Sequence, residues 1–274
     1  MLLKLVKYDL RSQRFLSSLL LLISLGGAVL SSILLQVLIS TMESDENAFA
    51  AIAMLGSIMM LFFVILGTFL AASAVLLSVA IHYYKKTVSD EAYLTFTLPA
   101  TAGQHLMSKM ISGSVWMLLS SLVIVVDVII IILPQIVITG DVSVAEIIEY
   151  LGFYFELVFA SELTTVFALI GYGLNALAML LSQLALLYLS LTVGGIVVNK
   201  CKALLGAGIY LGADMIVSLI MQVITSVCSV AFLSASYDAY MLFSTYLSAV
   251  LYTAFAITCY QITRHLLENK LNLA

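Results

Sequence analysis

Charge is what this sequence has least of. Asp, Glu, Lys and Arg make up 9% of 274 residues, against 63% hydrophobic ones. A soluble domain carries about 25% charged and roughly 45–50% apolar residues. So few charges cannot coat that much apolar side chain against water, and lipid has to serve as part of the solvent. Proline is nearly absent, with two in the chain, so helices can run uninterrupted. The short alternating segments of a membrane β-barrel are missing too. The three cysteines, Cys201, Cys228 and Cys259, form no spaced framework and read as inert thiols. No G-x-x-x-x-G-K-[ST] occurs, which excludes a phosphate-cradling loop of that kind. No nucleic-acid partner is expected.

What is present is a series of apolar runs long enough to cross a bilayer as helices, about 20 residues for roughly 30 Å of hydrocarbon. The expected fold is an all-α integral membrane protein with six spans in a single transmembrane domain, over 15–38, 49–82, 108–133, 175–198, 204–233 and 240–263. Pro134 is expected to end the third. The first run is too long for a signal-peptide core and no small-residue cleavage site closes it, so no cleaved leader is expected. Residues 1–14 set Leu2, Leu3, Leu5 and Val6 among Lys4, Lys7, Arg11 and Arg14, the pattern of an interfacial helix along the inner leaflet before the chain turns into lipid.

Basic residues fix the orientation. With both termini cytoplasmic, Lys4, Lys7, Arg11, Arg14, Lys85, Lys86, Lys109, Lys200, Lys202, Arg264 and Lys270 all fall inside, which is every one of the 11 Lys and Arg. Outside lie Glu43, Asp45, Glu46, Asp141, Glu146, Glu149, Glu156 and Asp238. Between spans three and four, 143–173 is apolar, yet Glu146, Glu149 and Glu156 fall within about 80° of one another on a helix. It is expected as an external amphipathic segment, because counting it as a span would invert the Lys200/Lys202 loop.

The cytoplasmic loop 83–107 is the one long polar interruption. Thr87-Val-Ser-Asp90 has the form of a capping box, with Asp90 and Glu91 in the first turn of the helix it would open. Thr101-Ala-Gly-Gln104 is a second capping box, leading into span three. Leu98-Pro99 between them forces extended backbone. Thr87, Ser89, Asp90, Glu91, Tyr93, Leu94 and Phe96 thus outline a short, partly apolar cytosolic helix suited to docking another protein.

Three stretches carry a resemblance: Asp90-Glu91-Ala92-Tyr93, then Phe96-Thr97-Leu98-Pro99, then Ser108-Lys109, with Lys7–Phe15 ("KYDLRSQRF") at the entry to span one. The chain resembles the ABC-2 type permeases of ATP-driven exporters. The resemblance implies six spans per subunit, two permease subunits (a second copy or a paralogue), and two separate ABC ATPase subunits on the cytoplasmic face. It also implies that the short helix after span two is the coupling helix the ATPase contacts. ATP and Mg would sit on that partner, with no cofactor in this chain, and the location would be a bacterial cytoplasmic membrane. The long segment between spans three and four departs from the family, whose outer gate helices fall between the last two spans.

Polar residues inside apolar runs are costly and mark function or interhelical bonding. Asp214, Asn175 and Gln183 are the candidates for a translocation path. Thr192 and Ser190 share span four with the latter two. Two aspartates on two spans also raise an intramembrane aspartyl protease. Yet Asp214 lies roughly 15 Å above the cytoplasmic end of its span and Asp127 roughly 24 Å above the start of its own, too unequal to share a proton. Asp127 is expected near the outer interface, partly hydrated. ATP-independent secondary transport or a channel is the alternative class, though His82, His105 and His265 all fall at cytoplasmic ends rather than in a relay. Small residues mark contact faces, within one subunit or between two: Gly208-x-x-x-Gly212 in span five, and Gly67, Ala71, Ala74 and Ser78 in span two. The acidic outer face suits a cationic peptide or drug, beside lipid-like cargo.

Overall fold

Where hydrocarbon replaces water, a chain must satisfy its own backbone, and a helix does so within one segment. The computed structural model describes residues 2–42, 48–89, 100–138, 149, 163–198, 201–230 and 237–269. Among them no strand occurs, and six helices carry the chain: α1 Leu2–Met42, α2 Ala48–Thr87, α3 Ala102–Ile138, α4 Leu163–Val197, α5 Lys202–Val230 and α6 Tyr237–Asn269. All six are long and apolar enough to cross a membrane, which makes this a multi-pass α-helical membrane protein.

The helices outrun the expected spans. At 41 residues α1 would measure about 60 Å, twice the hydrocarbon thickness. It runs unbroken through Arg14, so no turn separates residues 2–14 from span one. Helix α2 continues past His82 to Thr87, with Lys85 and Lys86 in its last turn, where cations favour the helix dipole. Helix α3 passes through Pro134 to Ile138 instead of ending there; one lost backbone bond is tolerated in a membrane helix. Helix α4 starts at Leu163, so 163–173 belongs to it rather than to the segment expected outside. No charge interrupts the sequence between Glu162 and Lys200, and the helix takes up that uncharged run from its first residue. Of the acidic residues assigned to that segment, Glu149 is exposed, whereas Glu146 and Glu156 lie outside the described residues.

Contacts divide the chain into two compact units. One comprises Arg11–Ser78 and Val115–Tyr154. Its packing rests on small and hydroxylated side chains: Ser17, Ser24 and Ser31 recur every seventh residue of α1, all fully buried. Ser17 and Ser78 hydroxyls meet at 3.0 Å, and Gly27 lies against the Thr68 methyl. Small residues let lipid-embedded helices approach closely, and hydroxyls bond across them. Asp127 is buried here beside Ser24, not hydrated as expected. Gly67, from the small-residue stripe, meets nothing within 4 Å.

The other unit comprises Met1–Leu10, Val79–Ser114 and Phe155–Ala274. Helix α4 is its spine, burying Leu184, Ala185, Leu186, Leu187, Tyr188 and Leu191. Helices α5 and α6 both pack on α4 and touch each other far less. Tyr246 of α6 donates to Phe167 O of α4 at 2.8 Å and lies over Gly171. Gly194 and Gly206 bring α4 and α5 to backbone contact, a Cβ on Gly194 falling 2.6 Å from the Gly206 nitrogen. The expected small-residue face does not make this crossing: Gly208 and Gly212 meet nothing within 4 Å.

Candidate functional site

The second unit gathers its charged side chains where the polar interruption leaves α2 and re-enters α3. Asp9 of α1 is 7% exposed. Its Oδ2 accepts a 2.6 Å hydrogen bond from Ser108 of α3. Its Oδ1 faces His82 Nε2 at 3.4 Å and Lys86 Nζ at 3.6 Å, both on α2, and Lys109 Nζ of α3 at 3.5 Å. Lys109 is 2% exposed, so Asp9 supplies the counter-charge that a buried ammonium requires. One carboxylate on α1 thereby holds groups from two other helices.

A second set of bonds extends the cluster to α4. Tyr83 of α2 stacks on Tyr188 of α4, ring centroids 4.1 Å apart and planes 11° from parallel. Tyr188 donates its hydroxyl to the Lys109 carbonyl at 3.0 Å. The Thr192 hydroxyl proton goes to the Tyr188 carbonyl at 2.7 Å, so Tyr83 donates to the Thr192 oxygen, also at 2.7 Å. Gly113 leaves the room that Tyr188 occupies: a Cβ there would lie 2.7 Å from the tyrosine oxygen. Past the end of α2, Val88 is buried against Gly195.

The two helix-start signals fare differently. The second forms as read: Gln104 N donates to Thr101 Oγ1 at 3.3 Å and Thr101 N to Gln104 Oε1 at 3.4 Å, the reciprocal capping box at the start of α3. The first does not form as read, because Thr87 is the last residue of α2. Val88 N and Ser89 N both donate to Tyr84 O, and Ser89 Oγ donates to Lys85 O, which closes the helix. The Thr87 hydroxyl is buried without a hydrogen-bond partner. Asp90, Glu91, Tyr93, Leu94 and Phe96 of the expected docking helix lie outside the described residues. What the structure describes is both roots of the interruption, at 89 and at 100.

Of the three candidates for a path, two come together. Gln183 of α4 donates from Nε2 to Asp214 Oδ1 of α5 at 2.7 Å and accepts at Oε1 from Tyr210 at 2.8 Å. Asn175 lies two turns away along α4, about 12 Å, and accepts from Ser248 of α6 at 3.0 Å. It lines a separate open cleft among α4, α5 and α6. Among the described residues, no group of three or more His, Cys, Asp or Glu could hold a metal ion.

Asp9 escaped sequence reading because, among Lys4, Lys7, Arg11 and Arg14, it looks like part of a charged flank. The signal that could have found it is Lys109. An ammonium inside Met107-Ser108-Lys109-Met110-Ile111, beyond a helix cap and facing the core, has to find an anion. Compared with known proteins, the chain matches no family model, no curated protein and no solved structure.

Proposed function

We propose that this chain is the membrane-spanning subunit of an ATP-driven exporter of the ABC-2 permease type. It would work in a bacterial cytoplasmic membrane with both termini inside, paired with a second copy or a paralogue and driven by separate ABC ATPase subunits. The observation that carries the reading is the rooting of 90–99. The residues on either side are fastened, through Asp9, Lys86, Lys109 and the Tyr83–Tyr188 stack, to α1, α2, α3 and α4. A push on such a segment cannot be absorbed by one helix end. It is handed to four helices through contacts too well packed to deform continuously, and packed helices answer by switching between discrete arrangements.

In this scheme the ATPase seats against 89–98, past the buried Thr87 and Val88, with Asp90, Glu91 and Tyr93 as the groups it contacts. Closure of the ATPase pair on ATP displaces that segment, and the ionic root carries the displacement into the spans. Asp214, held by Gln183, supplies a polar step at the α4–α5 seam on the path of the cargo.

The test is co-purification. Tagged chain solubilised in mild detergent should retain an ABC ATPase subunit, and Asp90→Arg, Glu91→Arg and Tyr93→Ala together should release it while the chain stays monodisperse. Vesicles holding chain and ATPase should move cargo only with ATP. An undiminished ATPase complex in the triple variant would overturn the docking assignment. Transport by the chain alone, without nucleotide and abolished by Asp214→Asn, would replace this reading with secondary transport.

A further inference from the structure

The cleft that Asn175 lines lies at the end of α4, α5 and α6 away from the α4–α5 turn: Gln222 and Thr225 are late in α5, and Ser244, Thr245 and Ser248 early in α6. Its volume is about 320 Å³, within the range of small-molecule sites. Every described residue lining it is polar, and none of these carries a formal charge. Apolar side chains dominate both an ordinary ligand pocket and a lipid-facing groove, so this lining is unusual for a seam between spans.

The serine and threonine hydroxyls have already spent their protons. Thr225 donates to Met221 O at 2.8 Å, Ser244 and Thr245 to Met241 O at 3.0 and 2.8 Å, and Ser248 divides its proton between Thr245 O and Asn175 Oδ1. A hydroxyl has one donor and two acceptor lone pairs, so what these residues have left to offer is oxygen acceptors. The Asn175 and Gln222 amides add a few donors. An anion would meet mostly lone pairs. A cation would meet no carboxylate among the described lining residues to offset its lost hydration. A neutral group rich in O–H donors fits both restrictions.

We infer that this cleft binds a neutral polyhydroxyl group of the sugar class, as a free saccharide or as the headgroup of a glycolipid. That the bound group is cargo rests on the exporter reading; that it binds does not, and binding is measured without any ATPase. Full-length chain in nanodiscs is titrated with maltose, and separately assembled in phosphatidylcholine discs with or without monoglucosyl-diacylglycerol, reading bound sugar by calorimetry and by native mass spectrometry. Saturable binding of either is expected, maltose binding marking a soluble source and glucosyl lipid alone marking a membrane source. Gln222→Leu with Ser244→Ala should weaken it by about tenfold or more, each change removing hydrogen-bonding capacity. Thr245→Val, nearly isosteric, should weaken it as well, and an unchanged melting temperature certifies the fold of each variant. Absence of binding to both probes, equal binding by the folded variants, or stronger saturable binding of a cationic peptide that those variants abolish would each overturn the assignment. Loss of ATPase co-purification with sugar binding intact would count against the exporter reading alone.

Discussion

Asp9 shows what one side chain holds in place. Replacing it with Asn would strip Lys86 and Lys109 of the carboxylate they share. Lys86 is partly exposed and can hydrate, so the cost falls on Lys109, at 2% exposure. Breaking a buried ion pair by removing one partner costs about 3–5 kcal/mol, and Asp9→Asn should lower the melting temperature in detergent accordingly. Asp9→Asn combined with Lys109→Met should recover part of the loss, since the ammonium left unpaired is then gone as well. A wild-type melting curve for Asp9→Asn alone would contradict this account. Cys201 makes a second prediction. It sits in the α4–α5 turn at φ 60°, a left-handed conformation for a residue with a side chain. Cys201→Asn should be neutral or slightly stabilising, because Asn tolerates that region, whereas Cys201→Ile should cost about 1–2 kcal/mol. At this scale the sequence was only partly readable. Gln183 and Asp214 stood out singly, because each is polar within an apolar run. Their pairing did not, nor did Asp9, whose partner His82 is 73 positions away. Nothing local marks a contact of that range.

The helices themselves were readable because their cause is local. Long apolar runs with two prolines in the chain permit little else. Their ends were not, since a charge marks where lipid stops rather than where helix stops. Lys85 and Lys86 could have closed span two at His82, yet the helix bonds internally and carries both lysines in its last turn. The capping box at Thr101 was readable, because it is spelled within four residues, and it yields a prediction: Thr101→Ala should cost about 1 kcal/mol, with amide exchange rising at Gln104 first. The α4–α5 crossing was not marked by small-residue spacing. Gly208 and Gly212 carry the familiar spacing but face open space, whereas Gly194 and Gly206 are placed by the turn between the helices. Gly194→Ala should destabilise by about 1–3 kcal/mol, because the added methyl meets backbone that can yield only by separating the helices. Gly208→Ala should leave the melting temperature unchanged. Equal effects at the two positions would refute the assignment.

For the molecule as a whole, the sorting of all 11 basic residues to one side is the basis of the proposed topology. It can be checked with a thiol already in place. Cys201 is exposed in the α4–α5 turn, so a membrane-impermeant maleimide should reach it in inverted vesicles and not in intact cells. Glu149→Cys, at an exposed position on the opposite side of that scheme, should label in intact cells. The reverse pattern would invert the protein and remove the proposed coupling segment from the reach of any cytosolic ATPase.

The contact between Gly194 and Gly206 also bears on how the protein is made. Two spans joined by so short a turn, touching backbone to backbone, have little freedom to enter the bilayer at different times. Entering alone, α5 would carry the Asp214 carboxyl into hydrocarbon unaided; beside α4 it has Gln183 as a hydrogen-bond donor from the outset. The contact therefore favours insertion of the fourth and fifth spans together as a hairpin, since α4 inserted alone would leave its Gly194 face without the backbone it packs against.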